Sequence, residues 1–136
     1  MEFKYDIYLA APFFNEKERE AVERVAMAMR KLYNVYVPME HSIDNAWDMS
    51  NYRWGRCVFE EDIRAIDNSR IVAVLDWGHY ADAGTAWECG YAYGKGKQVH
   101  RIRMDRDCIY SLMMEFGCHF KGWENIELDD FLPEVK

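Results

Sequence analysis

Several features that would classify this chain at a glance are missing. No apolar run approaches the roughly 20 residues that a membrane span needs, and there is no internal repeat, linker or low-complexity tract. Surplus basic charge is absent: 17 Lys and Arg stand against 24 Asp and Glu, for a net charge of −7. Binding to nucleic acid or to an anionic membrane relies on excess cations, so neither partner is expected. Met1 to Asp6 lacks the basic-then-apolar layout of a signal peptide, and a soluble, cytoplasmic protein is expected. Cys57, Cys89, Cys108 and Cys118 form no C-x-x-C pair, and with no secretion signal reduced thiols are expected. His41, His79, His100 and His119 make no H-x-x-x-H or H-E-x-x-H pattern, so the spacing proposes no metal site.

What is present is an alternation of short apolar runs and amphipathic stretches. Tyr5 to Ala11 alternates, then turns apolar, and reads as a first strand ended by Pro12. Asn15 is a good N-cap for a helix from Glu16 to Leu32, where Ala21, Val25, Ala28, Met29 and Leu32 recur at helical spacing. Tyr33 to Val37 is a second strand closed by Pro38. Met39 to Ser50 has no clean period, and unstructured loops of about 12 residues are often functional. A second helix covers roughly Tyr52 to Asn68, and Ile71 to Leu75 is a third strand.

A helix from about Asp82 to Gly94, a strand from Gln98 to Ile102, a helix from about Asp107 to Phe116 and a short segment near Cys118 to Phe120 complete the order. The remainder, Asn125 to Lys136, is acidic with apolar anchors. Half the residues are apolar or aromatic, enough to give one domain over residues 1–136 a real core. Alternating strands and helices predict an α/β fold, a doubly wound, mainly parallel five-stranded sheet with helices on both faces.

The stretch Asp82-Ala83-Gly84-Thr85-Ala86-Trp87-Glu88-Cys89-Gly90 follows the third strand, and open α/β sheets place ligands outside the carboxyl ends of their strands. Two readings of its acids compete. Thr85-x-x-Glu88 fits a capping box, and Asp82 an N-cap; alternatively, both carboxylates face a site. Ala86, Gly90 and Gly94 recur at helical spacing, as in a helix pressed against a sheet. Cys89 would point about 100° away from Glu88 and reads as core filler. In the second helix, Asp62 is flanked by Val58 and Ile66, and Glu61 by Cys57 and Ala65; periodicity does not choose which acid is turned inward.

Three segments in order, Ile7-Tyr8-Leu9-Ala10-Ala11-Pro12-Phe13-Phe14, Glu61-Asp62-Ile63 and Asp82-x-Gly84-Thr85-Ala86-Trp87-Glu88-x-Gly90-Tyr91-Ala92, resemble the nucleoside 2-deoxyribosyltransferase family, whose relatives include nucleoside 5′-monophosphate N-glycosidases. The resemblance implies a flavodoxin-like fold and base exchange on 2-deoxyribose. Glu88 matches the carboxylate that attacks C1′ and forms a covalent glycosyl-enzyme, a role carboxylates fill in retaining glycoside chemistry. Tyr8 matches the phenol that orients it. Asp62 matches the acid that handles the proton of the base, for which burial would raise its pKa.

Asp82 matches the position that binds the sugar 5′-hydroxyl, with Gly84 beside it against the substrate. Monophosphate-cleaving relatives tend to carry Ser there, and a carboxylate repels phosphate, so Asp82 favours nucleosides. Ser111 points the other way: transferases usually place Asn there, contributed across a subunit interface, and Ser resembles the hydrolases. Phe13, Phe14 and Trp54 resemble an aromatic lining for a flat base. His41 and Ser42 stand where transferases often carry a base-reading Gln. The resemblance also implies nucleosides and free nucleobases as partners, no cofactor, no metal, and a homo-oligomer built from dimers, up to a hexamer, with shared sites. Glu134 to Lys136 resembles tails that reach a site. Two other readings stand beside the transferase: an N-glycosidase in which water resolves the intermediate, and a catalytically silent nucleoside-binding module.

Overall fold

The computed structural model describes residues 2–78, 82–105 and 111–123, the last strand by its backbone only. Five parallel strands form one sheet: β1 (Tyr5–Ala10), β2 (Val35–Tyr36), β3 (Ser69–Asp76), β4 (Val99–Arg103) and β5 (Phe120–Trp123). Their order is β2-β1-β3-β4-β5. The helices are α1 (Glu16–Met29), α2 (Asn51–Asp67), α3 (Ala83–Gly94) and α4 (Leu112–Gly117). The doubly wound α/β expectation holds.

Because side chains alternate along a strand, each central strand feeds two cores. Ile7, Leu9, Ile71, Ala73, Leu75 and Ile102 point to one face and pack against Ala21, Val22, Val25, Ala26 and Met29 of α1. Tyr8, Ala10, Val72, Val74 and Val99 point to the other, under Ala65 and Ile66 of α2, Cys89 and Ala92 of α3 and Met114 of α4. The parallel register of Tyr8 with Val72 fixes which face Tyr8 takes. A wholly buried side chain such as Ile66 is worth about 1.5–3 kcal/mol.

Several boundaries differ from the sequence reading, each for a local reason. Helix α1 stops at Met29, so Leu32 is exposed rather than part of its apolar stripe. Arg30, its C-cap residue, extends its guanidinium to the Val35 carbonyl (2.9 Å) and to both Glu40 oxygens (2.6 and 2.7 Å). Strand β2 contains only Val35 and Tyr36; Tyr33 and Val37 are buried without joining the ladder. The segment from Met39 to Ser50 contains two 3₁₀ turns, the first reaching back to Pro38–Glu40 and the second at Ala46–Asp48. The buried residues of α3 are Thr85, Cys89 and Ala92. A Cβ added at Gly90 or Gly94 would meet no atom within 4 Å, so those glycines do not mark close packing on the sheet.

Of the helix expected from about Asp107 to Phe116, α4 begins at Leu112 with Ser111 as its N-cap; residues 107–110 and the acidic stretch from Asn125 lie outside the described residues. Cys57, Cys89 and Cys118 are free thiols, and Cys108 lies outside the described residues. Arg101 of β4 is fully buried, 2.6 Å from Glu115 of α4 and 3.8 Å from Asp76 of β3, and ties α4 to the sheet. No helix among the described residues is long and apolar enough to cross a membrane.

Candidate active site

The segments that follow β1 and β2, one face of α2 and the N-terminal half of α3 surround a cavity of about 570 Å³. Asp62 and Glu88 both line it, from α2 and α3. Under them, Tyr8 of β1 is completely buried, and its hydroxyl donates a hydrogen bond to Oε2 of Glu88. Glu88 is therefore directed at the phenol and the cavity, and the capping-box reading of Thr85-x-x-Glu88 fails. The helix is capped instead by Asp82, whose Oδ2 accepts from the Thr85 amide (2.8 Å) and hydroxyl (2.9 Å). Both bonds fall on one oxygen, which leaves Oδ1 for a ligand. Gly84 fits this cap closely: a Cβ there would lie 3.2 Å from Asp82 Oδ2.

Burial sets the protonation of the site. Desolvation, with smaller contributions from the charges of Asp62 and Asp82, raises the Glu88 pKa to about 7, although the Tyr8 hydrogen bond pulls it down. Asp62 is raised to about 6 by burial and by the neighbouring Glu61 charge. Tyr8 is driven well above an ordinary phenol by burial and then by the Glu88 and Asp62 carboxylates, so it stays a donor. Two acids with pKa values near neutrality in one cavity can share one proton; because Glu88 is the higher, the form with Glu88 ionised and Asp62 protonated is the minor one.

The wall beside Glu88 is built from the β1–α1 loop. The Phe14 amide donates to Glu18 Oε1 and the Glu18 amide to Asn15 Oδ1, each at 2.9 Å, which fixes Phe13 and Phe14 along the cavity. Trp54 does not line it; Phe59 and Trp87 do, packed edge to face at 5.3 Å. Phe59 shares the face of Asp62 three residues away, so helical spacing could have found it. His41 is also elsewhere: its ring stacks on Tyr36 at 4.1 Å and lines a separate groove with Lys4, Glu61 and Arg64. Ser42 is not among the cavity-lining residues, and Ser111 caps α4, accepting from the Met113 amide at 3.2 Å, also outside the cavity. Among the described residues no group of three or more His, Cys, Asp or Glu side chains is placed to hold a metal ion.

A parallel α/β sheet with paired acids on two helices facing one cavity beside its strand ends defines a class of small-molecule enzymes, and comparison with known proteins narrows it. The sequence profile of the nucleoside 2-deoxyribosyltransferases matches residues 7–131, and the chain belongs to this family of enzymes. Among solved structures it is similar to the 2-deoxyribosyltransferase of Bacillus psychrosaccharolyticus, at 32% identity over 85% of this chain and 84% of that one, with a TM-score of 0.78. A conserved protein of Enterococcus faecalis V583 shares the fold at 20% identity, over 96% of each chain, with a TM-score of 0.63. The CMP N-glycosidase of Clostridium botulinum does so at 20% identity, over 94% of this chain and 95% of that one, with a TM-score of 0.61. No curated protein matches significantly.

Proposed function

We propose that this chain exchanges nucleobases on 2-deoxyribose by double displacement, with Glu88 as the nucleophile. The observation that carries the reading is the Tyr8–Glu88 hydrogen bond at the floor of a cavity that Asp62 also lines. In the first step Glu88 attacks C1′ as the bond to the base breaks, and Asp62 gives the departing base its proton. The sugar is then an ester of Glu88. A second base attacks the same carbon, returns its proton to Asp62 and frees Glu88, so configuration is retained. Tyr8 holds the attacking carboxylate in one rotamer and, as a neutral donor, tempers its charge without competing for the sugar.

Asp82, through Oδ1, accepts the 5′-hydroxyl, while Phe13, Phe14, Phe59 and Trp87 take the flat base against apolar and aromatic faces. A 5′-phosphate would meet the Asp82 carboxylate, which favours nucleosides over nucleotides. The role of Ser111 belongs to an assembly in which a neighbouring copy supplies it, since within one chain it lies outside the cavity. Conversion of deoxyadenosine or thymidine, with and without a second free base, alongside the 5′-monophosphates, tests the whole reading. New nucleoside formed only with the second base supports transfer. Equal release of free base with or without an acceptor would make water the acceptor, and cleavage of monophosphates alone would overturn the role given to Asp82.

A further inference from the structure

The cavity wall on α2 is a regular stripe with one gap. Gly55, Val58, Phe59, Asp62 and Ile63 all line the cavity, at the spacing of a single helical face. Four present side chains and one does not. Glycine within a helix destabilises it relative to alanine, so its use here calls for a reason.

The two usual reasons fail at Gly55. Its φ is not positive; among the described glycines only Gly78 and Gly96 have that geometry. Nor does close packing demand it: a Cβ at Gly55 would meet no atom within 4 Å, unlike one at Gly84, the other glycine on the wall. What the missing side chain does is leave a recess open to the cavity. The recess lies seven residues N-terminal to Asp62 on the same face, roughly 10 Å along the axis at about 1.5 Å per residue. On the proposed reading Asp62 meets the base near the bond being broken, so this distance exceeds the reach of an unsubstituted bicyclic base and corresponds to a substituent carried on its outer edge.

We propose that Gly55 is a specificity-determining residue, its recess receiving substituents carried on the outer edge of a purine. The inference rests on the reading of the cavity as a nucleobase site. It assigns to this chain tolerance for six-substituted purines, a class with which a side chain at position 55 would collide. Monocyclic pyrimidines end short of the recess and gain less from it.

The test compares the parent with Gly55→Ala and Gly55→Leu, using cytosine, adenine and N6-benzyladenine. Thermal unfolding comes first and should show Gly55→Ala at least as stable as the parent, because helix propensity improves. Affinity for each free base is then measured by calorimetry, which requires no turnover, and kcat/KM for each as acceptor is measured separately. The selectivity for N6-benzyladenine over cytosine should fall by roughly tenfold or more in Gly55→Leu, with Gly55→Ala between, in line with what a few methylene groups decide in a fitted pocket. Equal losses for all three bases, no change for any, or failure of the parent to bind the purines would overturn the proposal. A parent that binds bases selectively but transfers no sugar would instead contradict the proposed function and leave the recess supported.

Discussion

The hydroxyl of Tyr8 on β1 donates to Glu88 on α3, a contact spanning 80 positions of the sequence. It exists because Tyr8 falls on the α2–α3 face of the sheet while Ile7 and Leu9 fall on the face of α1. A phenol held neutral by burial beside a carboxylate near neutrality forms a directed donor–acceptor pair. Replacing Tyr8 with Phe removes the donor that stabilises the charged form. The Glu88 pKa should rise further, and kcat/KM near pH 6 should fall about 10–100-fold, with part of the loss recovered as pH rises. A pH-independent loss would mean that Tyr8 only packs.

The acid and the nucleophile make opposite demands on pH. In the proposed mechanism Glu88, raised to about 7, must be ionised to attack, and Asp62, raised to about 6, must hold a proton to give. The productive form is therefore the minor of the two singly protonated ones. Below about 6 the pair carries two protons and above about 7 none, so kcat/KM for nucleoside cleavage should describe a narrow bell between those values. Asp62→Asn should abolish the fall on its alkaline side. A profile rising monotonically to pH 9 would contradict the assignment of Asp62.

The raised pKa of Glu88 also costs stability. Between its ordinary value of 4.5 and about 7 the folded chain keeps a proton that the unfolded chain has released, so stability drops as pH climbs through that window. Glu88→Gln should remove this contribution. Denaturant unfolding at pH 8 should find the variant more stable by on the order of 1–3 kcal/mol, the gain shrinking toward pH 4.5. A variant less stable than its parent at pH 8 would show that the ionised carboxylate is better solvated than its burial implies.

Arg101 is a structural charge rather than a catalytic one. It is fully buried, bonded to Glu115 and close to Asp76. Arg101→Met would take the buried cation away from those carboxylates, at a cost of about 3–5 kcal/mol. Urea unfolding measures this directly. A triple variant that also carries Asp76→Asn and Glu115→Gln should recover much of the loss, and no recovery would assign the cost to packing alone.

Much of this architecture was legible because period and register carry it. The alternation that opens β1, the short apolar run of β3, the apolar stripe of α1 and the Asn15 cap all follow from residue type and spacing. Of the two inward candidates on α2, Asp62 is the one that reaches the cavity. What the sequence hid depends on contacts between distant segments. Thr85 and Glu88 match a capping box in spacing and Asp82 an N-cap, and only the contacts decide that Asp82 supplies the cap and leaves Glu88 for Tyr8. Trp54 carries the larger ring, but helical phase places Phe59 on the wall. His41 stands where the resemblance places a base-reading Gln, but it stacks on Tyr36 away from the cavity. Nothing in Gln98 to Ile102 signalled that an arginine there would be fully enclosed, because its partners come from β3 and α4.

In the proposed double displacement the sugar rests on Glu88 between two bases. Mixing the protein with a deoxynucleoside in the absence of any acceptor, quenching rapidly and measuring the intact mass tests it most directly. The account predicts a population heavier by one 2-deoxyribosyl unit, mapped by peptide fragmentation to Glu88, absent in Glu88→Gln and discharged by adding a free base. An adduct on another residue, or base release without any adduct at any quench time, would contradict it.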